Sequence, residues 1–461
     1  MLHAELRAAL QHKIEDLRWG GATMTPVLER VARCAETFLL ETFDQLLVQS
    51  PGASAALARR GAESDAGLDL IRLARCAPGT LGAAVLSAGQ RNGSADAADI
   101  DLTTREDARY LRRRLHILHN VWRVVLGYSG DAFDEWALQA FTAAQTASLE
   151  GYLWIAVLFS RVGFINPEAT IPVHGCLAEG WLRGKATPNL LAVDWDERWE
   201  QPLERVRAEW GTPAAVPGDA ALRAAALSLL HTPGHLPAQL PEMFWDMIGS
   251  VVDPATITPR IAAFGLTYDE VLKDACARAI LLHAGQDEIA KQPWPPRVNI
   301  DSLSVHPPDT LGYEYYHLIV DNGFDPEVFN PDAVTGFHPG LDGTNRRILQ
   351  THEVWHLVAG YSTSPLHETA ISSFQLAQFG HNYSAIFLAT TVTLLLFSVP
   401  MFADPIMQVM SEGWRHGRET RPLMLIDWWS LWPQPIAEIR RAYGITPFQS
   451  TVPDLLAPQA G

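Results

Sequence analysis

The sequence predicts an all-α fold made of two related halves. Three observations carry that prediction. Long segments show helical periodicity, no series of alternating strands with hairpin turns is found, and the chain matches itself at an offset of 233 residues. The match runs without a gap from Arg113/Arg346 to Gly211/Gly444, with 31 identities over 99 aligned positions. It pairs Trp122 with Trp355, Gly127 with Gly360, Glu135 with Glu368, Gln145 with Gln378 and Trp181 with Trp414. A period of about 230 residues is too long for a solenoid unit and indicates duplication of a whole domain.

The elements follow in chain order. The opening MLHAELRAALQHKIEDLRWG lacks an apolar core followed by a small-residue cleavage site, so no secretory signal and a cytoplasmic location are expected. PGTLG at 78–82 returns as PDTLG at 308–312, and Asn92-Gly93 as Asn322-Gly323, at an offset of 230. A three-residue insertion in the second copy reconciles the two offsets. Leu111–Leu126 and Trp136–Phe159 have amphipathic or buried-helix character. TPAAVPGD at 212–219 is the natural linker, giving a first domain at 1–213, a linker at 214–219 and a second domain at 220–461. Asp253–Ala284 and Arg346–Ala359 again have helical character.

Ser384 to Ala403 carries no charge over 20 residues, long enough on length alone to cross a bilayer. It also holds Thr390, Thr391, Thr393 and Pro400, and its repeat partner Leu153–Pro167 carries Arg161. Two copies of one fold should treat this helix alike, so core burial is the expectation. The matched pairs Trp181/Trp414 and Trp199/Trp432 are expected in the core for the same reason.

Composition excludes some classes. With 35 Lys+Arg against 52 Asp+Glu, the formal charge is −17, which disfavours the phosphate backbone of nucleic acid. Cys34, Cys76, Cys176 and Cys276 are scattered, so neither a disulfide framework nor a thiolate zinc site is expected.

The stretch THEVWHLVAGYSTSPLHETAISSFQ, Thr351–Gln375, carries the chemistry. His352 and His356 at i and i+4 lie on one helix face, as two ligands of one metal require. Gly360 is placed to stop that helix, and Ser364-Pro365 to start the next. Glu368 then sits one turn into the second helix, able to close over the histidines, with Glu353 as a fourth candidate. His367 and His381 flank the site and are expected on the surface or behind the ligands. HExxH also raises a zinc metalloprotease, with Glu353 as general base. The metzincin extension needs a histidine six residues past His356, and that residue is Ser362.

The pattern H-[D/E]-x-x-H, eleven residues, then E is similar to the signature of the Coq4 family of ubiquinone-biosynthesis proteins. That family writes Asp where this chain has Glu353. Thr310–Pro326 resembles the family's segment before the metal helices, and Gly417–Ile445 its C-terminal signature. The resemblance implies two tandem Coq4-like helical domains and a divalent metal, zinc first, at His352, Glu353, His356 and Glu368. It implies a polyprenylated aromatic or quinone lipid as ligand, with its tail along the apolar helices. It also implies other quinone-biosynthesis proteins as partners and peripheral contact with the inner face of a bacterial inner membrane. The family is assigned a role in oxidative decarboxylation at C1 of the precursor ring, in which Glu353 would be a ligand or proton acceptor. The alternative is a non-catalytic lipid-binding scaffold with a structural metal.

The first domain resembles the same family but departs at the site. His119 and Glu135 align with His352 and Glu368, while Asn120 replaces Glu353 and Arg123 replaces His356. Arginine is always cationic and cannot ligate a metal. A degenerate copy is expected, with Arg123 pairing Glu135; His116, at i−3 from His119, is the alternative as a substitute ligand.

Overall fold

The structure, a computed structural model, describes residues 37–60, 68–92, 105–210, 268–281, 298–324 and 338–454. The expected linker at 214–219 lies outside these residues, as do Cys34 and most of Asp253–Ala284. The described residues are helical and contain no strand, only the isolated bridges Thr80 to Pro202 and Thr310 to Pro435. The helices are α1 Thr37–Gln49, α2 Ala53–Ala58, α3 Leu70–Ala74, α4 Leu81–Asn92, α5 Glu106–Leu126, α6 Ala132–Thr146, α7 Leu149–Phe164, α8 Thr170–Ala186 and α9 Leu203–Glu209. They continue as α10 Glu270–Leu281, α11 Leu311–Asp321, α12 Asp342–Ala359, α13 Pro365–Phe379, α14 Asn382–Ser398, α15 Ala403–Glu419 and α16 Ile436–Tyr443.

Two compact units are found. One gathers the described residues of Met1–Leu158, Gly175–Pro233 and Thr393–Asp404. The other gathers those of Phe159–His174, Gly234–Val392 and Pro405–Gly461.

Within each unit the same interactions recur at the offset of the sequence repeat. In the first, Gln145 Nε2 donates to the carbonyls of Gly184 (2.8 Å) and Thr187 (2.9 Å), and its Oε1 accepts from Leu190 N. In the second, Gln378 does the same to Gly417 (2.7 Å), Thr420 (2.8 Å) and Leu423 N. Each buried amide thereby satisfies helix-end backbone groups that would otherwise be stranded. Arg114 and Arg347 likewise donate to the carbonyls of Val193 and Ile426. α6 and α8 approach closely at Gly180, where a Cβ would lie 2.1 Å from Ala137 O; α13 and α15 do so at Gly413, where it would lie 2.2 Å from Ala370 O.

Trp122, Trp181, Trp355 and Trp428 are fully buried. Trp199 and Trp414 are also buried, whereas Trp432 is only partly covered. α14 is core: Ala385, Ile386, Leu388, Ala389, Val392 and Leu396 are buried, and so are Thr390, Thr391 and Thr393. No helix of the described residues is long and apolar enough to cross a membrane.

The segment Trp136–Phe159 is divided between α6 and α7. The break comes at Ala147, which takes a left-handed conformation at φ 53°. Its repeat partner is Gly380, at φ 72°. Glycine announces such a helix stop in sequence and alanine hides it. Ser148 then starts α7, its Oγ accepting from Gly151 N.

Two substitutions test this packing by chemical denaturation. Gly413→Ala is expected to cost about 1–3 kcal/mol, because the new methyl meets backbone rather than a movable side chain. Ala147→Gly is expected to stabilise by about 0.5 kcal/mol, relief of the left-handed strain outweighing glycine's greater freedom in the unfolded chain. An unchanged midpoint for Gly413→Ala would contradict the close helix approach.

Candidate metal centre

α12 presents His352 and His356 one turn apart. It ends at Gly360, in the left-handed conformation at φ 79°, where a Cβ would meet Pro447 Cβ at 2.9 Å. Ser364 caps α13 by accepting from His367 N at 3.2 Å, with Pro365 in the first turn, as their positions in sequence predict. This tight helix–turn–helix returns Glu368 to the histidines. His356 Nε2 lies 3.1 Å from His352 Nε2 and 3.3 Å from Glu368 Oε1, and His352 Nε2 lies 3.4 Å from Glu368 Oε2. Glu353 offers a carboxylate oxygen within 4.8 Å of ligand nitrogens of both histidines.

The electrostatics follow from this convergence. Burial disfavours a charged His356, but Glu368 and Glu353 outweigh it and raise its pKa to about 9. Burial would raise the Glu368 carboxyl, yet the facing imidazoles hold it well below the ordinary carboxylate range. A strong demand for positive charge at the centre is the common cause. A divalent cation fits the donors: two imidazole nitrogens and a carboxylate converge on one point. Glu353 Oε2 is moreover buried with no hydrogen-bond partner, the kind of orphaned oxygen that a bound ion or ligand would satisfy.

The surroundings fix the ring orientations. His356 Nδ1 faces the carbonyl of Ser362 at 3.1 Å, leaving Nε2 for the centre. His367 takes no part in the cluster. Its Nδ1 accepts from Ser362 N at 2.8 Å and so fixes the turn between α12 and α13. Burial lowers its pKa, keeping it the neutral acceptor this bond needs. Asp454 ties the same turn from the C-terminal segment, accepting from Ser362 Oγ at 2.5 Å. His381 is buried with its pKa pushed down to about 3, and its Nδ1 lies 3.0 Å from Ser384 Oγ. Gln375, whose amide meets His352 Nδ1, was not singled out by motif spacing. It stands seven residues beyond Glu368, two helical turns along the same face of α13, which is a signal the sequence does contain.

The corresponding place in the first unit is built differently. The Arg123 guanidinium donates to Asn120 Oδ1 at 3.0 Å and to Glu135, and lies 3.1 Å from His119 Nε2. Glu135 also lies 2.9 Å from His119 Nε2 and accepts from Gln139 at 3.0 Å. The lone pairs that would face a metal face an arginine instead. Burial would raise the Glu135 carboxyl, but His119 and Arg123 hold it well below its ordinary value. His116 is not among these partners.

An all-helical chain of two like halves, one of which gathers two histidines and two carboxylates at a helix–turn–helix, is the class that fold and site define. The chain belongs to the Coq4 family, the coenzyme Q (ubiquinone) biosynthesis proteins, whose family model matches residues 25–215 and 248–449. It is similar to the mitochondrial ubiquinone biosynthesis protein COQ4 homolog 1 of Culex quinquefasciatus, 27% identical over 201 residues covering 41% of this chain and 70% of that protein. It is also similar to the mitochondrial COQ4 homolog of Aedes aegypti, 27% identical over 157 residues covering 32% of this chain and 53% of that one. Among solved structures, a Nostoc punctiforme protein assigned to ubiquinone biosynthesis aligns with a TM-score of 0.38 and 21% identity, over 44% of this chain and 95% of that one.

The Arg123–Glu135 pairing has a pH signature. A carboxylate with a depressed pKa stabilises the fold above its ordinary value of 4.5, and that contribution is lost as pH falls toward about 2. Glu135→Gln is therefore expected to be less stable than wild type at neutral pH, with the gap narrowing below pH 4.5. Denaturant midpoints measured across this range check it; a gap independent of pH would show that Glu135 is not ion-paired.

Proposed function

We propose that this protein acts in coenzyme Q biosynthesis on a polyprenylated aromatic precursor, at a single divalent-metal centre in its second matched region. The observation that supports it is the convergence of His352, His356 and Glu368 beside the unpartnered, buried Glu353 Oε2. His352 and His356 would hold the ion through Nε2 and Glu368 through its carboxylate, zinc being the ion this donor set suits best. When bound, the ion supplies Lewis-acid polarisation of an oxygen on the aromatic ring. Glu353 Oε2 is the atom that would accept a proton from the ring's hydroxyl, or else complete the ligand set. Glu353 is itself buried, which would limit water at that oxygen.

The reaction proposed is oxidative decarboxylation at C1, in which the ring carboxylate leaves as carbon dioxide and a hydroxyl takes its place, with dioxygen from solution as the oxidant. The polyprenyl tail would lie against apolar helices, with the protein peripheral on the inner face of a membrane beside other proteins of the same biosynthesis. Most of the described side chains of α14 are buried, so the tail would run mainly over other helices. In the first matched region Arg123 supplies the positive charge, and that copy serves for packing alone.

Elemental analysis of the purified protein is expected to give one metal per chain, none in His356→Ala, and one still in Arg123→Ala. Two metals per chain, or metal retained in His356→Ala, would overturn the assignment. Glu353→Gln separates the two roles of that residue. Lost turnover with metal retained marks a proton acceptor, whereas lost metal marks a ligand. Lipid extraction and mass spectrometry should recover a polyprenylated aromatic; recovery of polar small molecules alone would remove the substrate reading.

A further inference from the structure

Behind His352 runs a chain of buried side chains that the first repeat does not have. The Gln375 amide meets His352 Nδ1. Ser384 Oγ lies 3.1 Å from Gln375 Oε1, and His381 Nδ1 lies 3.0 Å from Ser384 Oγ. Gln375, Ser384 and His381 are all buried. At the repeat offset their counterparts are Thr142, Gly151 and Ser148. Thr142 Oγ1 instead returns to the carbonyl of Leu138 in its own helix. The histidine is kept in both copies, as His119 and His352, but the chain behind it exists only where the second ligand is His356 rather than Arg123.

The difference has a chemical meaning. A neutral imidazole can ligate through Nε2 only when its proton sits on Nδ1, and something must accept that proton's hydrogen bond. For His356 the backbone carbonyl of Ser362 does so. For His352 the atom facing Nδ1 is Gln375 Nε2, with Gln375 Oε1 accepting from Ser384 Oγ; the two ends of the amide interchange by a half-turn. With Oε1 turned to His352, the donors all run one way. His352 Nδ1–H donates to Gln375 Oε1, Gln375 Nε2–H to Ser384 Oγ, and the Ser384 hydroxyl to His381 Nδ1. The opposite orientation would place an N–H against Nδ1 and put the histidine's proton on Nε2, where the ligand lone pair is needed. An arginine in the His356 position makes no such demand, since its N–H groups can meet the His119 Nε2 lone pair without a metal to orient it for.

We propose that Gln375, backed by Ser384 and His381, is a positioning residue that locks His352 in its Nδ1–H tautomer and so sets how tightly the centre holds a divalent ion. This rests on the metal reading of His352, His356 and Glu368. The test is zinc affinity of the full chain, measured against a competing chelator, together with the ¹⁵N imidazole shifts of His352. Gln375→Leu is expected to weaken zinc about 10–100-fold and to abolish the uniform Nδ1–H signature. Gln375→Glu, whose carboxylate still accepts from Nδ1–H, is expected to restore both, and Ser384→Ala to fall between. Thermal unfolding of the metal-free variants shows whether each is folded, and Gln375→Glu carries the test if Gln375→Leu is not. Wild-type affinity in folded Gln375→Leu, or Gln375→Glu as weak as Gln375→Leu, would overturn the positioning role. Wild type binding no more zinc than His356→Ala would instead overturn the metal reading beneath it.

Discussion

The structure around the site depends on one constraint: lone pairs brought together in a partly buried place require a positive charge among them. His352 Nε2, His356 Nε2 and the Glu368 carboxylate face one another within 3.4 Å, a geometry that is repulsive unless a proton or a cation intervenes. The hairpin of α12 and α13 enforces it. Gly360 stops one helix, Ser364 starts the next, and the turn between them is tied by His356, His367 and Asp454. In the first repeat the same hairpin meets the same requirement with a side-chain cation, Arg123.

Much of this hairpin was legible in sequence, because each part has a local rule. Histidines at i and i+4 share a face, glycine marks a left-handed stop, and Ser-Pro marks a capped start. The all-α class and the repeat were legible for a similar reason, since periodicity and self-similarity need no knowledge of packing. What was not legible depends on exceptions or on long-range contact. Ala147 stands where Gly380 stands in the other copy, so the division of Trp136–Phe159 into α6 and α7 left no mark in composition. Asp454 reaches Ser362 from 92 residues away, and no motif joins them. Gln375 lay between these cases, on a visible helical face but with its role set by which atom of His352 it meets.

The uncharged stretch at 384–403 shows how a repeat can arbitrate. Taken alone it had the length of a bilayer span; set against Leu153–Pro167 and its Arg161 it could not be one without breaking the likeness of the copies. In the structure it is a helix with most of its described side chains buried, followed by a short turn at Pro400–Phe402. The turn ends in Met401 and Phe402, both 51% exposed, where the first copy has Glu168 and Ala169. Glu168 is engaged by Arg278, so the two equivalent turns have diverged from charged to apolar.

The exchange of His356 for Arg123 also bears on how duplicated sites diverge. A copy that kept clustered lone pairs with nothing positive among them would carry a weakened fold. With Arg123 in place of His356, the first copy carries its positive charge within the chain, paired with Glu135. One duplicated hairpin thus meets the same electrostatic demand in two ways, once with a guanidinium fixed to the chain and once with positive charge drawn from outside the side chains' permanent cations.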